Sequence, residues 1–423
     1  MNMDVFNTRI GLAALLLGGS LGVNVALAAP AEGLVPWGKI NANVRLRYEG
    51  VDQTKVGPVT KDADAVTLRT RIGYETGAMG DWKMFAEIED VTVLDDSYNS
   101  TINHQTQYPV VVDPKSTELN QAYITFVGLS DTVFKGGRQR LILDNARFIG
   151  NVGWRQNEQT FDAFKITNNS LADTRVIYAY LGKARRVFSD KSPKGKSEME
   201  SHLLNVAYSG FDLGTITAYG YWLGFNDRQA IKPAAGTKTF GVSFDGGKQL
   251  SENSGLIYRL EFADQSDYDH GLSSNDANYQ LGEIGWKYKT VVLKVSQEIL
   301  DGDGKYGFST QLATGHKFNG WADHFLATPK DGLEDTFVTA ISTLGGVKFV
   351  AVYHWFESDH SSYDYGEELD LLAVKKLNKQ FTVGAKYADY DTDKNSKLLA
   401  RAGITGPAAI DRKKFWVWGE FNY

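Results

Sequence analysis

The feature that most constrains the fold of this chain is a repeated alternation of apolar and polar residues. Residues 41–49 alternate alanine, valine, leucine and tyrosine with asparagine and arginine, and residues 65–75, 256–263 and 381–388 show the same kind of pattern. A period of two is that of a β-strand with one apolar and one polar face. The chain is therefore predicted to be all-β.

The connections between these segments are alternately short and long. About eighteen candidate strands can be counted, with sixteen as the alternative number, which is within the range usual for outer-membrane barrels. The short connections are 77–80, 129–130, 168–170, 210–211, 344–346 and 377–379, and the long polar ones are 51–63, 94–116, 142–158, 182–198, 301–332 and 391–412. A transmembrane antiparallel up-and-down β-barrel has this alternation, which a soluble sandwich or a propeller does not require.

The first residues have the pattern of an export signal. Arg9 precedes an apolar run at 10–17, and small residues end at Ala28,. We therefore interpret 1–28 as a secretory signal peptide and 29–423 as a single outer-membrane barrel domain. A membrane anchor is the alternative, but the run is short for a hydrocarbon core about 30 Å thick. The chain has no cysteine, which excludes disulfides.

The last candidate strand ends the chain with an aromatic residue. Phe415, Val417 and Phe421 share one parity with the terminal Tyr423. Outer-membrane proteins present such a strand to the barrel-assembly machinery, and pairing it with the first strand removes both sheet edges from the lipid. We therefore expect the outer membrane of a Gram-negative bacterium, with its lipid and lipopolysaccharide as surroundings.

Arginine recurs on the polar face of the candidate strands and in one long loop. The arginines predicted to line a solute path are Arg45, Arg47, Arg69, Arg71, Arg138, Arg140, Arg155 and Arg259. Guanidinium groups keep their charge and lower the barrier for an anion. The alternative is a structural role, in which they pair with the inward carboxylates Glu49, Glu75, Glu87, Glu89 and Glu261. Arg69 and Arg71 are expected to face water, so that neutralising them has little effect on folding.

The longest loop, 301–332, carries aromatic residues. Phe318, Trp321 and Asp323 are predicted to fold into the mouth of the barrel as a constriction. The alternative is a binding surface on which the aromatic rings stack against sugars.

The sequence contains no complete catalytic or cofactor motif. A G-x-G-x-x-G match at 302–307 lacks the strand and helix that a dinucleotide site needs,. Two incomplete acidic sets in external loops are candidates for Ca²⁺: Asp301 with Asp303, and Asp389, Asp391 and Asp393 with Asn395,. We expect no cofactor, no metal and no enzymatic activity. The net charge of −6 gives no case for binding nucleic acid,.

Several segments resemble the alginate-export family of outer-membrane porins. They are Arg45–Tyr48 with Val51–Gln53, Thr67–Thr76, Glu118–Tyr123, Gly137–Arg140, Leu143–Asp162 and His316–Asp323. The resemblance covers most of the mature chain and is most specific at 137–162. It implies a monomeric barrel of roughly eighteen strands that passes an acidic polysaccharide outward, with Arg45, Arg69, Arg138 and Arg155 on the path. The chain is short for the alginate exporter itself, and the family is broad enough to include uptake of small solutes.

The predicted function is an outer-membrane channel that passes anionic solutes, such as acidic sugars or polysaccharide, by passive diffusion. One alternative is a non-transporting surface receptor or adhesin that acts through the long external loops. The others are an outer-membrane hydrolase, whose serine and histidine meet only in the folded chain, and a soluble secreted β-protein.

Overall fold

The computed structural model describes residues 38–226, 236–269, 271, 275–361, 363–393 and 410–423. Within these ranges the chain forms eighteen strands: β1 (Gly38–Gln53), β2 (Ala63–Thr76), β3 (Trp82–Ser97), β4 (Ser116–Leu129), β5 (Thr132–Gln139), β6 (Thr160–Asn168), β7 (Thr174–Arg185), β8 (Lys196–Phe211), β9 (Gly214–Leu223), β10 (Thr237–Ser251), β11 (Ser254–Asp267), β12 (Asp276–Tyr288), β13 (Val291–Leu300), β14 (Leu333–Leu344), β15 (Val347–Glu357), β16 (Asp364–Lys376), β17 (Phe381–Asp391) and β18 (Arg412–Asn422). The predicted signal peptide and Asn395 lie outside the described residues. A helix of sufficient length and apolar character to span a membrane is absent from the described ranges.

The eighteen strands form one closed sheet. Each strand pairs antiparallel with the next in the chain, and β1 pairs with β18 to close the barrel. In this seam Val44 lies opposite Phe421, and the backbone N–H of Tyr423 donates a hydrogen bond to the carbonyl of Ala42 across 2.8 Å. Lipid offers no hydrogen bonds, so closure is the arrangement that leaves no sheet edge unpaired. The predicted all-β up-and-down barrel of eighteen strands is confirmed.

The connections are tight at one end of the barrel and long at the other. Gly345 and Gly346 form the two-residue turn between β14 and β15, with φ values of +56° and +74°. Positive φ at both positions suits a type I′ turn, whose twist matches that of the flanking strands. The long connections, including 140–159 and 301–332, lie at the end opposite Tyr423. That end is external, because outer-membrane barrels have short periplasmic turns.

The outer face of the barrel is apolar. Ile72, Leu260 and Val295 are each more than half exposed. Near the tight-turn end, the rings of Trp82 and Phe126 lie 4.5 Å apart between centroids. An apolar band with aromatic rings at its border is the surface that contact with lipid requires.

Two long connections fold into the barrel. The backbone N–H of Gly150, in the 140–159 loop, donates to the carbonyl of Leu312, in the 301–332 loop, across 2.9 Å. Phe148 and Phe308, one from each loop, pack against Tyr279 of β12 with ring centroids 5.3 and 5.7 Å away. Burial of these apolar side chains favours the inward position of both loops. The interior is therefore partly filled by loop residues.

Candidate functional site in the lumen

Four arginines on neighbouring strands form one wall of the lumen. We call them the arginine ladder: Arg45 and Arg47 of β1, and Arg69 and Arg71 of β2. Arg45 lies opposite Arg69 in the register of the two strands. All four side chains are buried, with exposed fractions of 7% or less. The four guanidinium groups repel one another and are shielded from water. They therefore need oxygen atoms of the protein as hydrogen-bond or ion-pair partners.

The 140–159 loop supplies part of those oxygens. Arg45 donates hydrogen bonds to the carbonyl groups of Trp154 and Arg155, across 2.9 and 2.6 Å. Arg47 also donates to the carbonyl of Trp154. A loop inside a barrel needs donors for its backbone carbonyls, and the ladder provides them. The ladder therefore fixes the loop as well as lining the wall.

Arg69 and Arg71 are ion-paired rather than hydrated. Arg69 lies 3.2 Å from the carboxylate of Glu420 on β18, and Arg71 pairs with Glu89 on β3. Their exposed fractions are 2% and 7%. The expectation that both face water is therefore wrong, because neighbouring carboxylates and the covering loop exclude the solvent.

Most of the carboxylates expected to pair with arginine do so. The pairs are Arg155–Glu49, Arg71–Glu89, Arg140–Glu87 and Arg259–Glu261. Glu75 instead lies 4.0 Å from Lys83. In the part of the chain that the structure describes, Arg45 forms no ion pair; amide and carbonyl oxygens surround it. A structural role thus accounts for most of these arginines.

The two inward loops meet at a charged cluster that we call the loop junction: Glu49, Arg155, His316, Asp323 and Lys414. Arg155 lies 2.9 Å from Glu49 and 2.7 Å from Asp323. Asp323 also lies 2.6 Å from Lys414 and 2.6 Å from Nδ1 of His316. The junction therefore joins both loops to the barrel wall at β1 and β18.

Burial and neighbouring charges set the protonation of the junction. Burial lowers the pKa of His316 to about 3. The neutral ring donates from Nδ1 to Asp323 and accepts at Nε2 from the ammonium of Lys386, across 2.7 Å. Burial alone would raise the pKa of Asp323, but the hydrogen bond from His316 and the charges of Lys414 and Arg155 hold it well below its usual range. Asp323 is therefore charged at neutral pH.

Aromatic rings surround the junction. Trp154 stacks on His316, with ring centroids 5.1 Å apart. The ammonium of Lys386 lies 3.7 Å from the ring centroid of Trp321 and 4.5 Å from that of Trp154. These cation–π contacts stabilise the lysine where water is largely excluded.

Carboxylates of β16 hold the longest loop from the opposite side. Glu368 accepts a hydrogen bond from the N–H of Ala322 across 2.6 Å, and Asp370 accepts one from the N–H of Trp321 across 3.0 Å. Gly320 has a φ of +82°, and a Cβ at this position would lie 2.2 Å from Glu368. Only glycine fits this close approach of loop and strand without a shift of one of them.

The three residues predicted to form a constriction all lie inside the barrel. Phe318 packs against the guanidinium of Arg147 at 4.7 Å, while Trp321 contacts Lys386 and Asp323 belongs to the loop junction. Their effect on the passage of solutes stays a prediction.

Of the other predicted path residues, Arg140 is linked to the ladder, because it and Arg71 lie 2.5 and 3.6 Å from the same carboxylate, that of Glu158. Arg140 lies near the junction of β5 with its loop, and Arg259 lies on β11 across the sheet. Arg138 lies opposite Asp162 in register and pairs with it at 2.7 Å. Asp162 has the same parity on β6 as the exposed Phe164, so Asp162 and the opposite Arg138 both lie on the outer face of the wall. The prediction of Arg138 as a lumen residue is therefore wrong. The pattern of the glycine-rich β5 was too irregular to show this.

A second set of cations lines the lumen near the tight turns. We call Lys135 of β5, Lys165 of β6 and Arg175 of β7 the cationic row. Lys135 lies opposite Lys165 in register, and its ammonium is 3.9 Å from the ring centroid of Tyr123. Arg175 is exposed and shares its parity with the buried Ile177. Across the described ranges, none of the three side chains forms an ion pair with a carboxylate.

Several of these residues were missed from the sequence. Lys135 and Lys165 have the parity of Gln139 and Phe161, which are buried. That burial is known only from the fold, so the local pattern carries no signal for either lysine. Lys414 shares the parity of the buried Trp416 on β18 and was also overlooked. Its contact with the longest loop has no local signal, because the partner lies far away in the chain.

The acidic sets considered for calcium are separate local features. Asp303 accepts hydrogen bonds from the backbone N–H groups of Lys305 and Tyr306, at 2.7 Å each, and these bonds lower its pKa. Asp389 lies 2.6 Å from Lys413. Within the described ranges, no group of three or more histidine or acidic side chains is placed to hold a metal ion. Calcium binding stays a prediction.

The closed barrel, its apolar outer face and its charged lumen define a porin-like channel of the Gram-negative outer membrane. Solved porins share the fold. OpdL of Pseudomonas aeruginosa is 11% identical with a TM-score of 0.65, over 91% of this chain and 98% of that one. OccAB2 of Acinetobacter baumannii is 14% identical with a TM-score of 0.71, over 92% and 99%. OpdK of P. aeruginosa, solved with vanillate, is 12% identical with a TM-score of 0.65, over 91% and 99%.

The family follows from the sequence. The model of the alginate export family matches residues 37–294, which is more than half of the 423 residues. The chain belongs to the alginate export family, as its sequence motifs predicted. No curated protein matches the chain. Family and fold together indicate a transport channel.

Proposed function

We propose that this channel passes anionic solutes, among them acidic sugars or oligosaccharides, by passive diffusion. The observation that carries the proposal is the cationic row. Lys135, Lys165 and Arg175 face the lumen on three consecutive strands, without carboxylate partners in the described ranges. Uncompensated charges of one sign in a pore raise the local concentration of the opposite ion.

The arginine ladder contributes in a different way. Its guanidinium groups are covered by the 140–159 loop and largely neutralised by carboxylates such as Glu89 and Glu420. Arg45 is the exception within the described ranges: it forms no ion pair, and its hydrogen bonds go to amide and carbonyl oxygens. The ladder therefore offers an anion its charge only where the loop leaves room, whereas in the cationic row Lys135 and Lys165 are partly exposed and Arg175 is exposed.

Reversal potentials in planar bilayers under a KCl gradient test the proposal. The wild-type channel is expected to prefer chloride, and uronate oligomers should reduce its current. The triple variant Lys135→Gln, Lys165→Gln, Arg175→Gln should lose much of the chloride preference. Lys248→Gln is the matched control, because Lys248 has the outward parity of Val242 on β10. A wild-type channel that prefers cations and ignores uronates would overturn the proposal.

The receptor hypothesis is less well supported. The longest loop, 301–332, is folded into the barrel and held there by Glu368 and Asp370, so little of it forms an external surface. Deletion of that loop separates the two hypotheses. Raised conductance indicates a constriction, whereas unchanged conductance with loss of ligand binding indicates a receptor.

A further inference from the structure

A cavity opens at the external end of the barrel, above the loop junction. It lies between the 140–159 loop, the 186–195 loop and the 301–332 loop, and its volume is about 490 Å³. Arg155, His316 and Asp323 belong to its lining. This volume falls in the range of about 300–1,000 Å³ that is usual for small-molecule sites.

One part of the cavity wall is apolar. Val187, Phe188 and Leu326 line it, and Leu326 is 53% exposed although it lies in a concavity. When a ligand covers apolar surface that is exposed inside a concave site, the binding free energy becomes more favourable. The barrel's lipid-facing surface does not explain Leu326, because this loop folds into the barrel from the external end.

Another part of the wall is cationic. Arg186 donates a hydrogen bond to the carbonyl of Gln311 across 3.3 Å. Arg186 and Lys194, which also lines the cavity, form no ion pair with a carboxylate in the described part of the chain. Asp323, the acidic group of the lining, is already occupied by Arg155 and Lys414. A guanidinium with remaining donors beside an apolar wall suits a carboxylate that carries an apolar body.

We propose that this cavity is an external binding site for a single small carboxylate with an apolar ring or chain, captured before it enters the lumen. The carboxylate binds Arg186, with Lys194 close to it, and the apolar body packs on Val187, Phe188 and Leu326. The inference rests on the proposed function in that the ligand is an anion that then passes through the channel. At this site it narrows the ligand from anionic solutes in general to amphipathic carboxylates.

Three six-membered-ring compounds test the chemistry: cyclohexanecarboxylate, glucuronate and cyclohexanemethanol. Their binding to the full-length barrel in detergent is measured by isothermal titration calorimetry. Cyclohexanecarboxylate should bind most tightly, since glucuronate loses the apolar contact and cyclohexanemethanol loses the charge. Arg186→Gln should weaken cyclohexanecarboxylate by about tenfold, the effect of one charge-assisted hydrogen bond. Lys191→Gln, an exposed charge in the same loop that does not line the cavity, should leave affinity unchanged.

A second variant separates the two halves of the site. Leu326→Ser should weaken cyclohexanecarboxylate and leave glucuronate unaffected, which a purely electrostatic site would not show. Resistance of each variant to unfolding by SDS without heating shows that it is folded. Equal affinity for glucuronate, no effect of Arg186→Gln in the folded barrel, or no binding at all overturns the inference. Chloride preference in bilayers is measured separately, so an anion-selective channel without this binding leaves the proposed function standing.

Discussion

Arg155 donates a hydrogen bond to the carboxylate of Asp323 across 2.7 Å, although the two residues lie 168 positions apart in the chain. Both side chains are buried. The contact joins the two loops that fold into the barrel, and Lys414 and Glu49 connect it to the wall. Because the partners are removed from water, each depends on the other for compensation of its charge.

Asp323→Asn should loosen the inner loops. The change leaves Arg155 and Lys414 without their shared carboxylate, and breaking a buried ion pair of this kind costs about 3–5 kcal/mol. We expect larger and noisier single-channel conductance in planar bilayers. Lys330→Gln, an exposed charge of the same loop, is the control and should conduct as wild type does. Identical conductance of Asp323→Asn and wild type would show that the junction does not hold the loops.

Gly320→Ala should displace the same loop by a steric route. The new Cβ would lie 2.2 Å from Glu368, and φ is +82°. Gly345→Ala is matched for backbone strain, with φ of +56°, but its Cβ meets nothing within 4 Å. A left-handed conformation costs either alanine about 1–2 kcal/mol, so a larger loss for Gly320→Ala isolates the contact. The midpoint of urea unfolding in lipid vesicles measures it, and equal losses would contradict the packing described for Gly320.

Substitutions in the arginine ladder should lower the stability of the barrel, whereas substitutions in the cationic row should lower its chloride preference. Arg71→Gln leaves Glu89, which is 3% exposed, without its ion pair, and a loss of about 3–5 kcal/mol is expected. Lys135→Gln breaks no ion pair in the described ranges, so its unfolding midpoint should stay near that of wild type. Its chloride preference should fall instead. A destabilised Lys135→Gln barrel or an unaffected Arg71→Gln barrel would reverse this assignment.

Acid should release the inner loops. The pKa of Glu158 is about 2. Burial alone would raise this pKa, but the positive charges of Arg71 and Arg140 lower it by more than burial raises it. Its contribution to stability is therefore present above the unfolded value of about 4.3 and is lost as the pH falls towards 2. The pKa of His316 is lowered to about 3 by burial, so the unfolded state binds the proton first and stability falls between about pH 6.5 and 3.

Tryptophan fluorescence, to which Trp154 beside His316 contributes, can follow this change between pH 7 and 3. His316→Gln keeps hydrogen-bonding capacity but does not titrate, so it should remove the early part of the change and leave the part below about pH 4.3. A wild-type signal that is constant down to pH 3, or that changes on alkalinisation instead, would contradict the assignment.

Local alternation was enough to predict the barrel. A strand shows its two faces every second residue, so the parity of Arg45 and Arg71 and the amphipathic end at Tyr423 could be identified without a structure. The alternation did not predict the position of Arg138 correctly. Gly136 and Gly137 precede it and have no side chains to show which face of β5 is apolar, so only its register with Asp162 shows that Arg138 points outward.

Only the tertiary structure decided what covers the polar face. The sequence predicted arginines in a lumen, and it predicted a loop that folds inward. It could not show that the 140–159 loop buries the ladder, because its backbone carbonyls meet Arg45 and Arg47 through contacts between residues more than 100 positions apart. Nor could it show that Lys135 and Lys165 form no ion pair with a carboxylate in the described ranges. Strand faces follow from neighbours in sequence, whereas burial of a charge depends on which distant segment supplies its oxygen partners.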